Sequence, residues 1–204
     1  MSGYTGALDA IDLVSDYAAT VFVIRQILAG INTATLVQVV ASTADGSVAP
    51  PGFVDVQPLV QQIDGLGNVT PHGVVHRLKY LRVQGGANAV IVDPAVGDIG
   101  VAVFADRDTS GVIASGKASP PGSRRRFDYA DGVYLGCIIN AAPSQYVQFS
   151  NAGIAVSSPT KITLSAGGSS VVVDSSGVFI NGINFVTHVH SGVQSGGSNT
   201  GPVA

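Results

Sequence analysis

The chain has 204 residues, a formal net charge of -3 and 26 glycines, and only 11% of its residues are charged. The small acidic excess argues against a nucleic-acid-binding surface, which normally carries an excess of lysine and arginine. The single cysteine, Cys137, excludes an internal disulfide framework. Glutamate is absent, and valine, isoleucine, threonine, serine and glycine are abundant. This composition predicts a mainly β protein.

The mean hydropathy of +0.38 is high for a protein that works as a monomer in water. The longest apolar stretch, about residues 17–31, contains Arg25 and Gln26 and is shorter than the about 20 residues of a membrane-spanning helix. The N-terminus carries aspartates where a signal peptide would carry basic residues. We therefore expect the chain to fold in a cytoplasm and to bury apolar surface between subunits.

The first segment, residues 1–32, is predicted to contain an amphipathic helix over about residues 9–29. Asp9 is a candidate N-cap and Gly30 a candidate C-terminal stop. The helix either packs on its own domain or docks onto a partner protein. Its apolar residues recur three or four apart: Ile11, Val14, Ala18, Val21, Phe22 and Leu28.

The second segment, residues 33–140, is predicted to form a small β-barrel of the OB-fold kind, with a small sandwich as the alternative. Short strands alternate here with turn sequences such as Asp45-Gly46 and Gly85-Gly86. The predicted strands are residues 35–41, 53–63, 74–83, 89–92, 99–105 and 133–140.

The third segment, from about residue 141, has only two formal charges, Lys161 and Asp174. It contains a repeat, because residues 149–156 align with residues 173–180, an offset of 24 residues that is typical of β-solenoids. Two copies cannot cover their own apolar faces. We therefore expect several chains to wind around one axis, with alternate residues forming a dry apolar column.

The motif whose side chains could bind a metal ion is Thr187-His188-Val189-His190-Ser191-Gly192. On a strand, residues two apart project from the same face, so His188 and His190 would present both imidazoles in one direction. Imidazole suits zinc, copper, iron and nickel. Two ligands do not complete a site, whereas three chains around an axis would supply six nitrogens. Six nitrogens favour iron, since zinc prefers four ligands in structural sites.

The third segment resembles the C-terminal spike of membrane-piercing baseplate proteins of contractile-tailed phages. The resemblance rests on Gly177-Val-Phe-Ile-Asn-Gly182 and on the sequence from Thr187 to Pro202, with its His-x-His pair, glycine-rich return and terminal Gly-Pro. It implies a homotrimer with an N-terminal OB-fold, a triple-stranded β-helix over residues 141–186 and an apex over residues 187–204. It also implies that His188 and His190 of each chain bind one iron ion per trimer, and some members hold other ions.

The resemblance further implies a structural spike that pierces the bacterial outer membrane without catalysis. Its N-terminal domain would bind the baseplate hub or tail tube proteins. The chain would be made in the host bacterial cytoplasm and reside at the tail tip of a virion or of a headless contractile particle. No nucleic-acid partner is expected. A trimeric tail fibre or adhesin is the alternative, although the short end after His190 leaves no space for a receptor-binding knob. A metal-dependent cell-wall hydrolase would need a nearby carboxylate, and the tail offers only Asp174.

Three other features lack the context that a function would need. His72 and His76 have the spacing of a zinc protease motif but no glutamate between them. Cys137 lies among apolar residues and is predicted to be a small buried residue. The basic run at residues 124–126 is predicted to be a solvated loop, with docking to an acidic face of the tail as the alternative.

Overall fold

The computed structural model describes residues 15–64, 66–189 and 192. The fold is mainly β, with an N-terminal helix and a small closed barrel, as the sequence predicts. The chain divides into two compact units, one ending at Asn140 and the other beginning at Ala141.

Helix α1 spans Asp16–Ala29 and begins later than predicted. Ser15 is its N-cap, because its hydroxyl accepts the Ala18 N–H at 3.2 Å. Gly30 ends the helix as predicted. The predicted cap Asp9 lies outside the described residues. No residue of α1 is buried, so the described structure does not bear out packing of this helix on its own domain.

The barrel contains five strands in the closed order β1-β2-β5-β9-β8. All neighbours are antiparallel except β5 and β9, which run parallel. The strands of the first unit are β1 (Ala34–Ser42), β2 (Val54–Pro58), β3 (Gln62–Ile63), β4 (Val69–Thr70), β5 (Val75–Tyr80), β6 (Val83–Gly85), β7 (Asn88–Val90), β8 (Ile99–Phe104) and β9 (Gly132–Ile139). A short helix α2 (Ser110–Ser115) and a 3-10 turn (Tyr129–Asp131) lie between β8 and β9.

The barrel core is built by alternation, because every second residue of a strand points inward. Burial of each such side chain contributes about 1.5–3 kcal/mol. The buried apolar residues are Val37, Val39, Val54, Val56, Leu78, Tyr80, Ala102, Phe104 and Tyr134.

Two predicted strands were wrong in extent, because each divides into two. The prediction over residues 53–63 covers β2 and β3, and the prediction over residues 74–83 covers β5 and the start of β6. β2 ends at Pro58, which cannot donate to a strand ladder. β3 pairs with β4, and β6 pairs with β7, as two hairpins separate from the barrel sheet.

The prediction for Cys137 was also wrong, because this residue is exposed. The pairing of β8 with β9 shifts register between Val101 and Ala102, opposite Gly136, whose φ is 135°. This irregularity breaks the alternation, so apolar residues beyond it, such as Leu135 and Ile138, are exposed as well.

The second unit is a series of antiparallel hairpins. β10 (Tyr146–Ser150) pairs with β11 (Gly153–Ser157). A four-stranded sheet follows in chain order: β12 (Lys161–Ala166), β13 (Ser169–Asp174), β14 (Gly177–Ile180) and β15 (Ile183–Asn184).

The sequence repeat corresponds to a repeated hairpin. Ser150 pairs with Gly153, and Asp174 pairs with Gly177, so each copy makes the same two-residue turn. Gly153 and Gly177 have φ values of 120° and 129°, a backbone conformation that favours glycine. The aligned glycines therefore mark equivalent turns between strands.

Candidate functional site

The first hairpin of the second unit has one fully apolar face. Val147 pairs with Val156 and Phe149 with Ile154, so these four side chains lie together on one side of the ladder. They are between 53% and 76% exposed in the single chain. The other face carries Tyr146, Gln148 and the small residues Ser150, Gly153, Ala155 and Ser157. An apolar face of this kind requires a covering surface, because its exposure to water is unfavourable.

The four-stranded sheet repeats this arrangement. Ile162 pairs with Val173, Leu164 pairs with Val171, and Ile180 pairs with both Val171 and Ile183. Cross-strand partners share a face, so one side of the sheet is apolar throughout its centre. Its apolar residues are Ile162, Leu164, Val171, Val173, Val178, Ile180 and Ile183.

None of the described residues from Ala141 onward is buried. A folded domain of this length normally places part of its apolar surface in a core, and burial of that surface is the main favourable term in folding. The two apolar faces of this unit therefore have no cover within the described part of their own chain.

The two charges of this unit are direct cross-strand neighbours. Lys161 pairs with Asp174 at the ends of β12 and β13. Opposite charges at such positions attract each other. Asp174 also accepts the Ser176 N–H at 2.8 Å. From Gly132 onward the sequence has no other formally charged side chain, so the unit has no net side-chain charge when its histidines are neutral.

The strand that leads to the His-x-His motif ends before the motif begins. β15 ends at Asn184, residues 185–187 form a turn, and His188 follows in irregular backbone. The expectation that His188 lies on a strand was therefore wrong. A side chain replaces a strand-to-strand backbone hydrogen bond here, because Asn184 Oδ1 accepts the Val186 N–H at 2.9 Å. His190 lies outside the described residues.

His188 is exposed and is held by Phe185. The Phe185 carbonyl oxygen lies 2.7 Å from His188 Nδ1. The two rings stack with centroids 5.5 Å apart and an interplanar angle of 27°. Because a carbonyl oxygen can only accept, Nδ1 carries the proton of this hydrogen bond. In the neutral imidazole the lone pair is then on Nε2.

This geometry fits a metal ligand. Metal-bound histidines commonly donate their second ring N–H to a backbone carbonyl, which fixes the tautomer. Among the described residues no three His, Cys, Asp or Glu side chains come together to hold a metal ion. The described part of one chain therefore offers His188 without a cluster of further ligand residues around it.

The other histidines have local partners. His76 Nδ1 lies 2.8 Å from Asp55 Oδ2 at the barrel surface. The His72 ring makes an edge contact with the Tyr129 ring at 5.4 Å. Neither contact resembles the paired ligands of a zinc protease.

The basic run contains a structural ion pair that the sequence did not reveal. Arg125 Nε lies 3.0 Å from Asp131 Oδ2, and Arg125 Nη2 lies 3.0 Å from Asp108 Oδ1. Both carboxylates are almost completely buried. The prediction of a solvated loop was therefore wrong for Arg125, whereas Arg124 and Arg126 are exposed. No local pattern marks this contact, because its partners come from separate loops.

The pKa values of the two carboxyls follow from these contacts. Hydrogen bonds from Ser110 and Ser123, with the Arg125 charge as a smaller contribution, lower the pKa of Asp108 to about 2. Burial opposes ionisation of Asp131, but hydrogen bonds from Arg125 and Thr109 outweigh it and lower the pKa of this carboxyl. These ionised groups thus hold together three parts of the connection between β8 and β9, those that carry Asp108, Arg125 and Asp131.

A second buried pair lies beside the β6–β7 hairpin. Arg82 Nη2 donates to both carboxylate oxygens of Asp93 at 2.7 and 2.9 Å, and Arg82 Nη1 donates to the Ala49 carbonyl oxygen at 2.6 Å. Both side chains are more than nine-tenths buried. This bidentate pair fixes the strand connections outside the barrel sheet.

The end of the chain is similar to a known family. Residues 182–202 match the family model of the GpV Apex motif. The match supports a spike apex of the phage baseplate type at this segment and a component of a phage tail. No curated protein matches the chain significantly. No helix in the described part of the chain is long and apolar enough to cross a membrane.

Proposed function

We propose that this chain is the central spike protein of a contractile phage tail or of a related headless particle, and that it pierces the bacterial outer membrane without catalysis. The observation that carries the proposal is the GpV Apex match at residues 182–202. The match begins at the last strand of the second of two sheets whose apolar faces have no cover within their described chain.

We propose assembly as a homotrimer: the uncovered faces support association of several chains, and the two histidines per chain support the number three. Three chains that turn the Phe149 and Leu164 faces toward a common axis would bury them in one apolar column. The opposite face of the four-stranded sheet, where Thr163 and Ser165 lie beside Val172 and Phe179, would then point outward. The column would form the intertwined β-helical shaft over residues 141–186, and the strand edges of each chain would be covered by its neighbours.

The apex would hold one iron ion per trimer. Two histidines from each of three chains, His188 and His190, would supply six imidazole nitrogens. Imidazole is a good ligand for iron, and the His188 tautomer described above presents Nε2 as its lone-pair nitrogen. When bound, the metal would cross-link three chain ends that would otherwise fray.

The surface chemistry suits passage through a membrane. A charged side chain is costly in hydrocarbon. The second unit has one charge of each sign, and Lys161 and Asp174 are direct neighbours. The C-terminal end would enter first, and the barrel would remain with the tail, bound to hub or tube proteins.

The test combines elemental analysis with light scattering on the purified chain. We expect trimers with one iron per three chains, and we expect a His188→Ala/His190→Ala double variant to lose the iron. A His72→Ala/His76→Ala double variant is the matched control and should retain it. A metal-free monomer as the wild-type form would overturn the proposal.

A further inference from the structure

The segment between β15 and His188 is tied to the sheet by two residues, Asn184 and Phe185. The Phe185 N–H donates to the Val178 carbonyl oxygen at 2.7 Å, so the backbone of Phe185 is fixed to β14. Asn184 Nδ2 donates to the Ser176 carbonyl oxygen at 3.3 Å, which anchors the same segment to the turn between β13 and β14. The turn that carries His188 therefore has a fixed origin.

From this origin, Phe185 holds the imidazole in two ways. Its carbonyl oxygen accepts from Nδ1 across a three-residue turn, and its ring stacks on the imidazole. The first contact sets the tautomer, and the second restricts rotation of the ring. The Phe185 side chain is 58% exposed in the single chain, so burial in a core within this chain does not explain its position.

Asn184 makes the turn itself. Its side chain accepts the Val186 N–H and donates to the Ser176 carbonyl, so it replaces the hydrogen bonds that a longer β15 would make. The chain consequently leaves the sheet after Phe185, whose N–H still bonds to β14. We expect that without the Asn184 side-chain bonds the segment from Val186 would continue as a strand and the Phe185–His188 turn would be lost.

We infer that Phe185 and Asn184 are positioning residues for the apical metal site: Phe185 sets the tautomer and orientation of His188, and Asn184 sets the turn that brings the two rings together. The inference rests on the proposed function. It adds a layer of residues behind the ligands that determines how firmly the ion is held. Loss of such second-layer partners typically lowers metal affinity by about 10- to 100-fold.

The experiment measures iron(II) affinity of the purified trimer by competition with a chelator. Phe185→Leu keeps an apolar side chain but removes the ring, and we expect iron affinity to fall while light scattering still reports a trimer. The fall should be smaller than the about 10- to 100-fold that loss of a hydrogen-bond partner causes, because the carbonyl that accepts from His188 Nδ1 is part of the backbone and stays. Phe185→Tyr keeps the ring and should retain the affinity. Phe53→Leu is the matched control, because it makes the same change in the first unit of the chain.

A second variant, Asn184→Ala, tests the turn without removing the Phe185 ring, and a second measurement reports the His188 tautomer directly. Asn184→Ala leaves Phe185 in place and should lower iron affinity within an intact trimer. In iron-free protein labelled with nitrogen-15 at histidine, the His188 shifts should report Nδ1 protonation in the wild type and in Phe185→Leu, which keeps the backbone carbonyl that accepts from Nδ1. Asn184→Ala, which removes the bonds that form the turn, should give a mixture of tautomers.

The outcomes separate this inference from the proposed function. A wild-type trimer with iron, together with unchanged affinity in Phe185→Leu and Asn184→Ala, would overturn the positioning role alone. Failure of Phe185→Tyr to retain the affinity would overturn the role of the ring. A wild-type protein that binds no iron would overturn both proposals.

Discussion

The apolar face of the first hairpin gives the sharpest test of trimer formation. Phe149 lies on this face near the turn, opposite Ile154, and is 76% exposed in the single chain. If three chains cover this face, truncation of Phe149 to alanine should weaken the trimer strongly. If the face is exposed in solution, the same truncation should have almost no effect.

The expected size follows from the exposed area. An aromatic side chain has roughly 200 Å² of surface, so covering the exposed three quarters of Phe149 would remove about 150 Å² from water. At about 25 cal/mol per Å² this contributes about 4 kcal/mol. Alanine retains the Cβ, so the loss for Phe149→Ala is about 3 kcal/mol per chain and about 9 kcal/mol per trimer. This corresponds to about six orders of magnitude in the trimer dissociation constant.

Gln148→Ala is the matched control, because Gln148 is the preceding residue and projects from the other face of β10. A substitution at an exposed polar position normally changes stability by less than about 0.5 kcal/mol. Sedimentation equilibrium over a range of protein concentrations would compare both variants with the wild type. Equal effects of Phe149→Ala and Gln148→Ala would refute the argument that this face is buried between chains.

Three further outcomes test the fold and the apex. Gly100→Ala should prevent correct closure of the barrel, because its Cβ would overlap the Gly136 carbonyl oxygen; a wild-type melting temperature would contradict this. The lowered pKa values of Asp108 and Asp131 stabilise the fold above the ordinary aspartate pKa near 4. This stability should be lost as the pH falls toward about 2. Asp131→Asn should make the melting temperature less dependent on pH over that range, and a variant with the pH profile of the wild type would argue against the ion pairs. Removal of iron with a chelator should lower the melting temperature of the trimer, as measured by calorimetry, and a temperature unaffected by metal would argue against a cross-linked apex.

Local patterns predicted much of the barrel and of the hairpins. Alternation in segments such as Val37 to Val39 encodes which face of a strand is buried, and this signal needs no knowledge of the partner strand. The aligned glycines Gly153 and Gly177 similarly predicted equivalent features, because a backbone conformation with positive φ favours glycine wherever it occurs. The match at residues 182–202 agrees with the apex motif that the sequence indicates.

The failures share a physical cause. The contacts of Arg125 with the buried carboxylates of Asp108 and Asp131, and the exposure of Cys137, depend on which segments meet in the folded chain. The end of β15 was also missed, because it depends on the hydrogen bonds that the Asn184 side chain makes to two other backbone groups.

The sequence by itself predicted the β class, the helix end at Gly30, most of the barrel strands and the repeat, and its C-terminal segment indicated an apex motif. These are properties of composition and of the spacing of neighbouring residues, and they require no knowledge of which segments pair. Only the tertiary structure decided that the barrel closes through the parallel pairing of β5 with β9, and that His188 follows a turn held by Asn184 and Phe185. Such features arise from hydrogen bonds between segments, and spacing along the chain does not record which segments pair.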